Sequence, residues 1–191
     1  MKAFRPILAI LAAMLYLGGC ASTGGGSSSL SPEEKEKQRG AVLKFAQESL
    51  DKLYAINPDT ISLVESAPGY AVFDVSAVNI IMFVGQTGKG VLVNNRTKAP
   101  TFMKAVRAGT GPGLGYREMR QIFVFKSEAA MEQFALGNEA GGDVSAAITV
   151  GTTGGQMSFN PYIDVYQITE KGFTLEAQWG GTVYIADPDL N

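Results

Sequence analysis

The chain is predicted to form an α+β domain, with N-terminal helices packed on a strongly twisted, barrel-like antiparallel β-sheet and one further short helix. Three observations point there. Up to about residue 66, apolar residues recur at three- and four-residue spacing. Beyond it, segments rich in β-branched and aromatic residues alternate with glycine-containing turns. Ser127 to Leu136 alone returns to helical spacing, with Ala130, Met131, Phe134 and Ala135 behind a serine N-cap.

Ser31-Pro32-Glu33-Glu34 reads as an N-cap, a proline at the first helical position and two acidic residues where the helix dipole favours them. The helix should run to about Asn57. From Gly40 onward Val42, Leu43, Phe45, Ala46, Leu50, Leu53 and Tyr54 mark an apolar face, and Lys35, Lys37, Arg39, Lys44, Glu48 and Asp51 occupy other positions. Asn57-Pro58-Asp59 opens a second, shorter helix that Pro68-Gly69 ends. Strands are then expected at Tyr70–Val75, Asn79–Val84, Gly90–Val93, Thr101–Ala108, Gly113–Met119, Gln121–Phe125 and Asp143–Val150. Tyr162–Thr169 and Phe173–Ile185 should form a hairpin across Glu170-Lys171-Gly172.

The first thirty residues carry a different signal. Lys2 and Arg5 precede an apolar stretch from Ile7 to Leu17, too short for the roughly 20 residues that cross a bilayer. This is the layout of an export signal over residues 1–19. Leu17-Gly18-Gly19-Cys20 resembles the lipobox of bacterial lipoproteins, in which the cysteine is acylated and becomes the new N-terminus. Residues 20–30 then form a flexible glycine- and serine-rich tether, and residues 31–191 a single domain. Ala21, where an aspartate would retain a lipoprotein at the inner membrane of a Gram-negative cell, implies the outer membrane by the same resemblance, with the domain facing the periplasm.

Charge and composition remove several functions. Loss of Lys2 and Arg5 from the 16 basic residues leaves 14 against 18 acidic ones, so no basic surplus serves nucleic acid. Cys20 is the single cysteine and there is no histidine. Thiolate chemistry, the serine-histidine-aspartate triad and the common zinc sites are therefore not expected, nor is a metal or other cofactor.

The suggestive motifs fail on context. Gly109-Thr110-Gly111-Pro112-Gly113-Leu114-Gly115 lacks the helix and acidic partner of a dinucleotide fingerprint, and suits a sharp sheet bend or close backbone packing. Gly85-Gln86-Thr87-Gly88-Lys89-Gly90 lacks the Ser or Thr after lysine that a phosphate loop requires, and reads as a hairpin turn. Asn95-Arg96-Thr97 reads as an exposed turn. Among Glu65, Asp74, Glu118, Asp143 and Glu176, spacing singles out no pair that would converge at the roughly 5–10 Å of carboxylate hydrolysis.

Read together, Ala67-Pro68-Gly69-Tyr70-Ala71-Val72-Phe73, Gly88-Lys89-Gly90-Val91-Leu92, Gly113-Leu114-Gly115-Tyr116-Arg117, Phe123-Val124-Phe125, Asp143-Val144-Ser145-Ala146-Ala147 and Tyr166-Gln167-Ile168-Thr169 before Gly172-Phe173 resemble the SYLF family. The likeness covers about Asp51 to Asp187. It implies a non-catalytic domain that binds anionic phospholipid with the help of a preceding amphipathic helix. The basic cluster tied to actin binding in fungal members is missing, so actin is not an expected partner.

The expectation is a lipid-anchored module that contacts membrane phospholipids, with Cys20 as the lipidation site and Lys35, Lys37, Arg39 and Lys44 as headgroup contacts. The first helix either covers the sheet, as amphipathic helices of globular domains do, or inserts in the membrane. The rivals are a structural or adhesin-like envelope protein with a protein partner, and a carboxylate-only hydrolase.

Overall fold

Ser31 opens the first helix as the sequence predicts: its hydroxyl accepts from the Glu34 N–H at 3.2 Å, and the Glu34 carboxylate accepts from the Ser31 N–H at 2.9 Å. The computed structural model describes residues 30–136, 142–150, 154–157 and 161–191, so Cys20, the export segment and most of the tether lie outside the described residues. Helix α1 spans Pro32–Ile56 and α2 Thr60–Ser66. Ala46, Ser49, Leu50 and Leu53 are the buried face of α1. The Thr60 hydroxyl, also buried, donates to the Asn57 carbonyl at 2.6 Å and ties the two helices together.

The strands are longer than expected. β1 runs Gly69–Asn94 and β2 Pro100–Phe125; α3, Glu128–Ala135, follows on its Ser127 cap. Then come β3 (Gly142–Val150), β4 (Gly154–Met157) and β5 (Ile163–Ala186). Every pairing is antiparallel and the order is β1-β2-β5-β3, with β4 also on β5; β1 and β3 end an open sheet.

Three expected strands therefore merge in β1, and three more in β2. Gly85–Gly90 is strand interior and not a hairpin turn. The expected C-terminal hairpin is also absent: Lys171 and Gly172 stay in β5, opposite Glu118 and Arg117, with a register shift at Glu118/Met119. The physical reason is the neighbouring strand. β2 offers ladder partners along all of β1 and most of β5, and leaving the ladder at each glycine would strand paired N–H and C=O groups.

A straight strand of 26 residues would be roughly 85 Å long, far beyond a domain of this size, so β1 folds back. Asn95 N–H donates to the Pro68 carbonyl at 2.9 Å, joining residues just outside the two ends of β1. A Cβ at Gly88 would lie 2.7 Å from the Asp74 carbonyl oxygen, and one at Gly90 would overlap the Val72 carbonyl and the Phe73 ring. Only glycine lets the two halves pass so closely. The fold-back centres on Ile81, which has φ 61° and begins a register shift to Phe83. Across from it runs the Gly109–Gly113 part of β2, the bend the glycine spacing predicts.

The curled sheet buries apolar side chains on both faces. Inside, Phe73, Val75, Met103, Met119, Phe123 and Tyr184 meet Met131 and Phe134 of α3. Outside, Val72, Val91, Phe102, Ile122 and Val124 lie under Ala46, Leu50 and Leu53 of α1. The first helix thus covers the sheet. Among the described residues no helix is long and apolar enough to cross a membrane.

Candidate functional site

What fixes α1 on the sheet is a charged clamp. Arg120 of β2 is buried beneath the helix, with its guanidinium 4.2 Å from the centre of the Phe45 ring. Its Nε donates to Glu170 Oε1 at 2.8 Å, and its Nη1 to the Ser49 hydroxyl at 2.9 Å. Lys52, one helical turn beyond Ser49, donates to both Glu170 oxygens at 2.6 and 2.8 Å. One carboxylate of β5 therefore joins the helix to two strands.

Beside the clamp lies a shallow groove of about 200 Å³ lined by Gln38, Ala41, Val42, Phe45, Asp74 and Lys89. Lys89 Nζ donates to Gln38 Oε1 at 3.2 Å. Asp74 sits at the rim, opposite Arg120 in register. Loss of water raises its pKa; Arg120 opposes that shift, and Glu118 and Glu170 add to it. For Glu170 burial pushes upward, but the hydrogen bonds from Lys52 and Arg120 outweigh it and lower the pKa.

The two carboxylates therefore act oppositely on stability. The Asp74 contribution is fully present below the unfolded value of about 3.9 and is lost as pH rises through its raised folded value. That of Glu170 is present above its unfolded value and is lost as pH falls through its lowered one. Asp74→Asn should accordingly stabilise the domain at pH 7, by less than about 1 kcal/mol because water screens the rim. Urea titrations at pH 7 and at about pH 3, where Asp74 is as neutral as the asparagine that replaces it, check this: the gain should vanish at the lower pH.

Of the predicted headgroup contacts, Lys37 and Lys44 are exposed and Lys35 is half-exposed. Lys44 has Glu48 at 3.9 Å. Arg39 turns inward: its Nε donates to the Leu190 carbonyl at 2.6 Å and its guanidinium lies 5.7 Å from the Phe102 ring centre. It helps hold the last turn of the chain. No side chain from Ser31 to Phe45 is fully buried, but Val42 and Phe45 still pack against the core.

Of the candidate carboxylates, Asp74 and Glu118 lie close enough for Glu118 to raise the Asp74 pKa. Glu65 is exposed on α2, Glu118 accepts a hydrogen bond from the Tyr116 hydroxyl, and the side chains of Asp143 and Glu176 lie outside the described residues. Among the described residues, no group of three or more Asp, Glu, Cys or His is placed to hold a metal ion.

At the fold-back of β1 the surface changes character. Ile80, Ile81, Met82 and Phe83 are all exposed, and Leu114 and Tyr116 of β2 continue the patch. Isolated exposed apolar residues are ordinary, whereas a contiguous group of this kind marks a contact surface.

No protein-family model matches the chain. It is similar to Beta cell expansion factor A of Aeromonas veronii, with 32% identity over 164 residues. The aligned region takes in 84% of this chain and 62% of that protein, so the chain spans less than two thirds of its relative's length.

Sequence reasoning did not single out Arg120, Ser49, Lys52 and Glu170, because their meeting depends on how a helix crosses two strands. It also passed over Ile80–Phe83. That segment had a usable signal: from Val75 to Gly88 there is no charged residue.

Proposed function

We propose that this chain is a lipid-anchored, non-catalytic membrane module of SYLF type that binds anionic phospholipid. The single observation behind this reading is the placement of cations at the start of the fold. Lys37 and Lys44 are exposed on α1, Lys35 is partly exposed in its first turn, and Lys89 joins this end of the helix through Gln38. The acidic residues interleaved with them are partly occupied: Glu34 closes the capping box, its pKa lowered by the Ser31 hydrogen bonds, and Glu36 lies 3.9 Å from Arg39.

Acylation of Cys20 would place this end of the domain at a bilayer, since the ten peptide links from Cys20 to Leu30 reach at most about 35 Å. Within a Debye length of an anionic surface, each lysine adds about 1 kcal/mol. Co-sedimentation of residues 30–191 with vesicles tests the reading. The domain should pellet with phosphatidylglycerol vesicles at low salt and much less with phosphatidylcholine alone. Lys35→Glu, Lys37→Glu and Lys44→Glu together should reduce binding at least tenfold by the same charge arithmetic. Equal binding to both vesicles would remove the headgroup claim.

A further inference from the structure

Near the fold-back of β1 the sheet is turned inside out relative to the rest of the domain. Val78 and Ile80 are exposed while Asn79 between them is buried; Val106 and Tyr116 are exposed while their neighbours Arg107 and Arg117 are buried. Gln86 and Thr182, on the strands either side of Arg107, are buried too. Toward α3 the same strands show the ordinary order, with Phe73 and Val75 inside and Asp74 outside. Polar in and apolar out is what strands adopt when their outer solvent is hydrocarbon.

The apolar character continues onto β2: exposed Ile80 is opposite exposed Leu114 in register. Ile81 itself is 72% exposed at φ 61°, a conformation costly for a β-branched residue and ordinary for glycine. The fold alone would favour glycine there, so a side chain kept at that cost points to a contact outside the chain.

From these observations we infer that the fold-back of β1, with Phe83, Ile81 and Leu114 leading, inserts into the acyl region of one bilayer leaflet. The inference rests on the membrane reading above and adds the surface that enters. The dimensions suit a leaflet. Neither Val75–Gly88 nor Ala108–Tyr116 contains a charged residue, and among the described side chains of β1 and β2 the first outward carboxylate, Glu118 opposite Ser76, stands five residues from Ile81, roughly 17 Å along the strand. Half of the hydrocarbon core is about 15 Å. A protein partner would instead be expected to meet a rim of polar and charged groups around the apolar centre. Lys89, beside Gln38 of α1, is six residues from Phe83, roughly 20 Å along the strand.

The test uses residues 21–191, which lack the only native cysteine, with Phe83→Cys carrying an environment-sensitive fluorophore. On vesicles of phosphatidylcholine and phosphatidylglycerol in equal parts, the probe should shift to the blue and be quenched by acyl-chain-brominated lipid. A probe at Arg96→Cys, in the β1–β2 turn at the opposite end, should do neither. Separately, Ile81→Gly with Leu114→Asp should keep the circular dichroism and unfolding midpoint while weakening vesicle binding roughly tenfold or more. If the domain pellets with vesicles but the probe at 83 is unaffected, the insertion is overturned and lipid binding stands. If the unsubstituted domain does not pellet at all, the membrane reading itself falls. A blue shift without vesicles, accompanied by dimer formation, would assign the surface to a second copy and overturn the insertion as well.

Discussion

Phe73→Ala is expected to destabilise the domain by about 4 kcal/mol, the middle of the range of losses for buried phenylalanine. Phe73 is fully buried at the centre of an aromatic group, with the rings of Tyr184, Phe123 and Phe134 at centroid distances of 4.8, 5.8 and 6.1 Å. Beneath it passes Gly90, whose missing side chain is what lets the ring lie there. Each neighbour is itself confined: Phe123 and Phe134 contact each other and Tyr184, and the Tyr184 hydroxyl is held by Gln121 at 3.0 Å. The site cannot collapse to fill the space, so the cavity cost adds to the lost transfer energy. The control is another phenylalanine ten residues along the same strand. Phe83 is 76% exposed, and Phe83→Ala should change stability by no more than about 0.5 kcal/mol. Urea unfolding of both variants, followed by circular dichroism, measures the contrast.

That contrast also shows what could be read from the sequence. Local signals survived where few alternatives competed: the Ser31 capping box, the Ser127 cap and the Asn95 turn are each fixed by residues within four positions. The α+β class followed from the change of period near residue 66. Strand boundaries did not follow, since glycine marks a turn only where the chain leaves the ladder. Gly88 and Gly90 instead mark a place where one strand crosses itself, a contact between residues thirteen to eighteen positions apart. Phe73 and Phe83 look alike in composition and strand propensity. Only the fold-back, centred between them, assigns one to the core and the other to the surface. The clamp under α1 was hidden for a related reason, because Ser49, Arg120 and Glu170 come from three elements whose crossing angle no local pattern encodes.

Arg120→Met should cost about 3 kcal/mol, the lower end for removing one partner of a buried ion pair. The loss has three parts: the Glu170 carboxylate keeps only Lys52, the Ser49 hydroxyl loses its donor, and the face of Phe45 loses its cation. Arg120→Lys should recover only part of this, because an ammonium cannot span Glu170 and Ser49 in the fixed fork of a guanidinium. If the three groups act as one clamp, Glu170→Gln added to Arg120→Met should cost less than the two single changes summed, by about 1 kcal/mol or more. Additive losses would show that Arg120 supports the sheet independently of Glu170. The position of the damage is a further check. Ser49, Lys52 and Phe45 are α1 residues and Arg120 and Glu170 belong to the sheet, so the variant should loosen the helix before the strands. Amide hydrogen exchange should rise first from Ala46 to Leu53, while the Phe73 region of β1 keeps its protection. That order would establish α1 as a separately held layer, attached by one arginine more than by its apolar face.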